Sequence, residues 1–214
     1  MNILALETTG PDCSVALRVA GEADRVLTET IGRGHAERLA PMAQRLLAEA
    51  GLEPARLDRI AVAIGPGNFA GTRVGVAFAR GLALATGATA LGIGNLAVLA
   101  RQIGGETPLV LLHDARRGDV VLQIFHTGQA HAPERLALSA VPARLAALAA
   151  GSLRIAGSGA GLSPGPDLRP VETGPLDLNV LLDLAAETDP AAAPPSPFYA
   201  RPPDAKLPGG VEPA

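Results

Sequence analysis

Aromatic side chains make up only 2% of this chain, there is a single cysteine, and no apolar run is long enough to cross a bilayer. Each scarcity excludes something. So few rings leave no stacking platform of the kind that single-stranded nucleic acid binding uses. The lone Cys13 rules out an internal disulfide framework and a cysteine-based zinc site, and suits a reducing compartment, so a cytoplasmic protein is expected. Gly, Arg or a polar group interrupts every apolar stretch short of the roughly 20 residues a span requires. The opening MNILALE reads as a strand, without the basic head of a secretory signal. There is no basic excess either: Lys plus Arg number 18 against 21 Asp plus Glu, a net charge of −3, so an RNA or DNA backbone would have to be gripped by a partner.

The 214 residues suffice for a sizeable core in one large or two small domains, and 48% are hydrophobic. An apolar run at residues 2–7, a turn at 8–12, and alternating segments at 13–19 and 25–30 predict three antiparallel strands. The period then changes to helical over 35–50, with Leu39, Met42, Leu46 and Leu47 on one face and Gly51 as the stop. Next come a strand at 58–64, a helix at 71–86, a strand at 88–92 and a helix at 95–103, an alternation that predicts an α/β fold. Beyond Gly104-Gly105 a second lobe is expected, with strands at 109–113, 120–126 and 153–156 and helices at 142–150 and 178–186. Asp114 to Asp119 reads as a polar turn, and the proline-rich tail after Pro190 as extended and frayed at its end.

The most informative segment is Gly65-Pro66-Gly67-Asn68-Phe69-Ala70-Gly71-Thr72-Arg73, because it joins a buried strand to a helix N-terminus, where free N–H groups can hold an anion. It contains no lysine and lacks P-loop spacing. It also lacks the acid that a dinucleotide fingerprint needs about 20 residues on, since no Asp or Glu occurs between Asp58 and Glu106. In the following helix Gly71, Gly75 and Ala79 recur every four residues as a nearly side-chain-free stripe, with Val74, Phe78 and Leu82 as a separate apolar row. Interior glycines each cost roughly 0.5–1 kcal/mol relative to alanine, so close helix packing must compensate, either on the first helix of this chain or on another chain. His35 lacks the second histidine a metal site would need one turn later, because position 39 is leucine, and no serine hydrolase elbow accompanies Cys13 or any serine. No catalytic residue and no metal ligand is therefore assigned. Gly157 to Gly161 is a further glycine-rich turn of low specificity.

Taken together, Ile3 to Thr9 with Cys13 to Leu17, His35 to Leu39 with Pro41-Met42, the Gly65 to Arg73 loop with Gly75-Val76, Asp114 to Gly118, and Pro197 to Ala205 make the chain resemble the TsaB family over most of its length. The resemblance implies an actin-like ATPase (ribonuclease H-like) fold, with a complete first lobe at 1–104 and a shortened second lobe at 105–214 whose tail can pack back on the first. It implies a non-catalytic scaffold for threonylcarbamoyl transfer to the tRNA adenosine beside the anticodon. The larger relative TsaD is the partner, the ATPase TsaE joins, and ATP and the metal ion reside on those subunits rather than here. A homodimer is expected when TsaD is absent, tRNA is contacted only through the complex, and no membrane is involved. Pairing in the family uses the first two helices, which assigns His35, Leu39, Met42, Gly71, Gly75 and Ala79 to the partner interface. Glu7, Thr8, Thr9, Gly65, Gly67, Asn68 and Arg73 fall where the superfamily holds nucleotide, as a candidate vestigial anion loop. Glu7 stands where the family usually has Asp, Thr9 where Ser is common, and Asn68-Phe69-Ala70 replaces Ser-Phe-Thr. The alternative function is a stand-alone actin-fold ATPase or phosphotransferase using that loop as a phosphate cradle.

Overall fold

The computed structural model describes residues 1–201 apart from 106, 107, 127, 128, 149–151, 164 and 166. Strands β1 (Ile3–Glu7), β2 (Asp12–Arg18) and β3 (Arg25–Thr30) are followed by helix α1 (His35–Glu49), β4 (Arg59–Ala63), α2 (Phe69–Thr86), β5 (Thr89–Ile93) and α3 (Asn95–Ile103). They build a five-stranded sheet in the order β3-β2-β1-β4-β5, antiparallel in its first three strands and parallel from β1 to β5. Because side chains alternate along a strand, Leu4 and Leu6 of β1 meet Leu39, Met42 and Leu46 of α1 on one face. Ile3 and Ala5 point to the other face. All of β1 is buried as a result, which is why it reads as a continuous apolar run.

The second lobe comprises β6 (Leu109–Arg116), β7 (Asp119–His126), β8 (Gln129–Ala130), β9 (Glu134–Ala137), α4 (Val141–Ala146), β10 (Leu153–Ala156) and β11 (Leu168–Pro170). Its sheet order is β11-β10-β6-β7-β8, with β9 also paired to β7. The last helix, α5 (Leu178–Glu187), returns to the first sheet, where Leu178, Leu181, Leu182 and Ala185 cover Ile3, Ala5, Ala16 and Ala61. A division of the chain at residue 104 would leave that apolar face bare. The small sheet residues there make room for the leucines of the helix.

Two local differences from the sequence reading concern a turn and a helix. The Asp114 to Asp119 turn is shorter than expected, because β6 runs on through Arg116 and the hairpin closes on Arg117-Gly118 alone, after a bulge, with Arg116, Arg117 and Gly118 all left-handed. Helix α4 ends at Ala146, and residues 149–150 of the expected helix lie outside the described residues, as do Pro202 to Ala205 of the closing motif. The end expected to fray lies outside the described residues, and up to Arg201 the tail is extended, as expected. Its backbone joins the first lobe where Gly92 N–H donates to Ala193 O and Phe198 N–H donates to Ile64 O. Phe198 and Ala200 then pack among Leu96, Leu109, Leu111 and Val121, so residues 193–201 form a strap wedged between the lobes, kept extended by Pro194, Pro195 and Pro197.

Candidate functional site

The glycine stripe of α2 faces inward. A Cβ built on Gly71 would lie 1.9 Å from the carbonyl oxygen of Thr8, and one on Gly75 would lie 2.5 Å from Thr8 Oγ1 and 3.2 Å from Val62 Cγ2. Thr8 Oγ1 also donates to Gly71 O at 2.7 Å, so the helix is drawn onto the turn after β1 by a hydrogen bond that only a bare helix face allows. Ala79 is fully buried in the same direction. The expected partner interface is corrected accordingly. His35, Leu39, Met42, Gly71, Gly75 and Ala79 are all buried within the chain. His35 Nε2 lies 3.1 Å from Asp12 O, while Leu39 and Met42 belong to the first core cluster.

Most N–H groups of the loop before α2 already have protein acceptors. Asn68 caps the helix, its Oδ1 accepting from Ala70 N–H and Gly71 N–H, and its carbonyl accepting from Thr72 N–H. Its own N–H donates to Thr9 O, and Gly65 N–H donates to Asn95 Oδ1. Arg73 turns away from the loop, its guanidinium 3.9 Å above the Phe69 ring and its Nε donating to the Tyr199 hydroxyl at 2.9 Å. Phe69 and Tyr199 meet with ring centroids 4.7 Å apart. Of the residues assigned to the loop, Thr8, Thr9, Gly65, Gly67 and Asn68 are thus brought together, with most of their N–H groups bonded within the turn.

Behind it lies a buried polar network. Glu7 accepts from both Thr9 N–H and Thr9 Oγ1, Thr9 Oγ1 accepts from Asn95 Nδ2, and Asn95 Nδ2 also donates to Pro66 O. Burial, partly opposed by the bonds from Thr9, raises the Glu7 pKa above its ordinary value of 4.5. The folded chain therefore holds this proton more tightly than the unfolded chain. The stabilisation is full below the ordinary carboxylate value and is lost as pH rises through the raised one. Glu7→Gln, which keeps the acceptor oxygen, is expected to melt higher than the parent at neutral pH and to lose that slope. Calorimetric melting between about pH 4 and pH 8 checks this; parallel curves for the two proteins would refute it.

Between the lobes opens a cleft of about 990 Å³, bordered by Thr9 and Asn68 on one side, His113, Arg116 and Ser158 on the other, and Tyr199 of the strap. Burial lowers the His113 pKa, which favours the neutral ring, and Ser158 Oγ lies 3.3 Å from its Nδ1. Asp114 and Arg116 add a charged pair to this wall, and Ser158 Oγ also accepts from Asp114 N–H at 3.1 Å. Among the described residues no group of three or more His, Cys, Asp and Glu side chains is placed to hold a metal ion, and no helix is long and apolar enough to cross a membrane.

What the sequence reading missed is a second row on α2. At about 100° per residue, Ala70, Ala77 and Gly81 fall on the side away from Thr8, and all three are exposed. In line with them, Leu84 is 90% exposed, and nothing approaches within 4 Å of where a Gly81 Cβ would be. The signal was present in the spacing. Two small-residue rows share this helix, and only the position of Thr8 tells them apart.

The model of the family described as TsaD, tRNA N6-adenosine threonylcarbamoyltransferase, matches residues 25–137, more than half of the chain. The tRNA threonylcarbamoyladenosine biosynthesis protein TsaB of Haemophilus influenzae is 36% identical over 123 residues, covering 56% of this chain and 52% of that protein, so the chain spans about half the length of this curated relative. An uncharacterized protein of Mycobacterium tuberculosis is 34% identical over 212 residues, covering 95% of this chain and 93% of its own. A crystal structure from Pseudomonas aeruginosa, described as an uncharacterized protein with similarity to peptidase YEAZ, superposes with a TM-score of 0.74 at 32% identity, covering 94% of this chain and 99% of that one. With the two mixed sheets, this makes the fold an α/β one shared with that structure. The chain belongs to the family that the TsaD model describes and, within it, to the TsaB branch.

Proposed function

We propose that this protein is a non-catalytic subunit in the synthesis of threonylcarbamoyladenosine on tRNA, acting by docking onto a TsaD protein and supporting the recruitment of TsaE. The observation that carries this reading is the outward row of α2. Leu84, almost wholly exposed, continues a line of Ala77 and Gly81 that none of the described residues covers. An apolar side chain held out beside small residues is the shape a partner helix fits. The match of residues 25–137 to the TsaD model includes α1 and α2, so a TsaD chain has counterparts of these helices to set against them. The interface on this side is composed of Ala77, Gly81 and Leu84 of α2, with the exposed Pro41, Gln44 and Ala48 of α1. Alone, the chain self-pairs through the same face. tRNA, ATP and the metal ion are handled by the partners.

The loop argues against a stand-alone ATPase, because the N–H groups of Gly65, Asn68, Ala70, Gly71 and Thr72 already have protein acceptors. Reconstitution tests the reading. Purified TsaD, TsaE, the threonylcarbamoyl donor and unmodified tRNA should give modified adenosine only when this chain is added. Equal product without it would overturn the proposal.

A further inference from the structure

The docking row of α2 lies between two walls. On one side Val74, Phe78 and Leu82 turn toward the core cluster shared with α1. On the other runs the strap, fixed to α2 at two points: Arg73 Nε donates to the Tyr199 hydroxyl, and Arg80 donates to Ser196 Oγ at 3.2 Å. The two arginines are seven residues apart on one side of the helix, and both are exposed. Each is held by a hydroxyl rather than by a carboxylate. On α1, by contrast, Arg38 and Arg45 meet Glu29 and Glu49. The cause is in the sequence, since the stretch from residue 59 to residue 105 contains no Asp or Glu at all. A chain of net charge −3 therefore carries two arginines and no carboxylate of its own helix along the strap side of this row.

We infer that the strap and these arginines are part of the docking surface, and that they select a partner helix whose strap-facing flank carries carboxylates beside its apolar ridge. This inference rests on the docking role proposed above and adds the chemistry of the occupant. A second copy of this chain is the poorer occupant, because pairing α2 with α2 brings uncompensated arginines onto one seam, whereas an acidic flank is drawn in and held in register. Arg80 serves as the specificity element, and Arg73 also keeps the strap in place through its contacts with Phe69 and Tyr199.

The test uses the full chain and TsaD from the same organism, with affinity followed by calorimetry and self-association by sedimentation. Arg80→Glu is expected to weaken the heterodimer about tenfold or more. The wild-type affinity should fall as NaCl rises from about 50 to about 500 mM, with a shallower fall for Arg80→Ala. Melting should be unchanged, and self-association should be unchanged or tighter. Ser196→Ala, which removes only the strap's hydroxyl, reports whether Arg80 acts through the strap, in which case it weakens the heterodimer in parallel, or directly on the partner, in which case it does not; either result upholds the strap side of the row as part of the surface. A heterodimer that ignores both Arg80→Glu and salt, while still being lost in Leu84→Glu, would overturn this inference and leave the docking role standing. No heterodimer of the wild-type chain at all would overturn both.

Discussion

Gly71→Ala is expected to cost about 3 kcal/mol or more of folding stability, among the largest effects of any single methyl group in this protein. The added Cβ would sit 1.9 Å from Thr8 O and 3.1 Å from Thr8 C, both backbone atoms at the end of the central strand, so no flexible side chain can swing aside. Relief requires α2 to lift off the turn, which breaks the bond from Thr8 Oγ1 to Gly71 O and opens the packing behind Gly75. Against a total stability of about 5–15 kcal/mol for a domain, this should lower the melting temperature by roughly 6 °C or more, or leave the chain insoluble. Gly81→Ala on the same helix is the control. Its Cβ would meet open space, and the helix gains about 0.5–1 kcal/mol from losing an interior glycine. Circular dichroism melts of the two variants should therefore shift in opposite directions. A Gly71→Ala protein melting with the parent would show that α2 does not lie against Thr8 as described.

Leu84→Glu should do the reverse: leave the fold intact and abolish assembly. At 90% exposure the side chain contributes little to the isolated chain, so the melt should move by less than about 0.5 kcal/mol. In a complex that covers the α2 row, the substitution removes about 1.5–3 kcal/mol of apolar burial and adds a carboxylate that must be desolvated. A loss of about 100-fold or more in affinity for TsaD follows, with modification of tRNA falling in proportion at limiting protein. Phe69→Ala is not an equivalent variant, because Phe69 carries Arg73 and Tyr199 and its loss loosens the strap.

The sequence made the order of strands and helices along the chain legible, because β1, β4 and α1 obey simple periods and the Gly-rich loop marks the start of α2. It also showed that α2 has bare positions that demand close packing. What it could not settle is the direction of that packing. Gly71, Gly75 and Ala79 look the same whether a foreign helix or Thr8 lies opposite, and the turn at Thr8 is 63 residues away in sequence. The capping of α2 was likewise hard to read: Asn68 is a strong N-cap, and its side chain takes two of the N–H groups that an uncapped helix start would offer. That the tail could pack back on the first lobe was implied by the resemblance, but Pro194, Pro195 and Pro197 do not show where, and Phe198 among the second-lobe residues Leu109 and Leu111 places it.

Hydroxyl-radical footprinting of the chain with and without TsaD measures the central claim at the side chain that bears it. Leu84 should lose most of its labelling on complex formation, while Leu162, exposed on the second lobe, keeps its own. A complex that forms with Leu84 labelled as freely as in the isolated chain would mean that the partner sits elsewhere and that the outward row of α2 is not the docking surface.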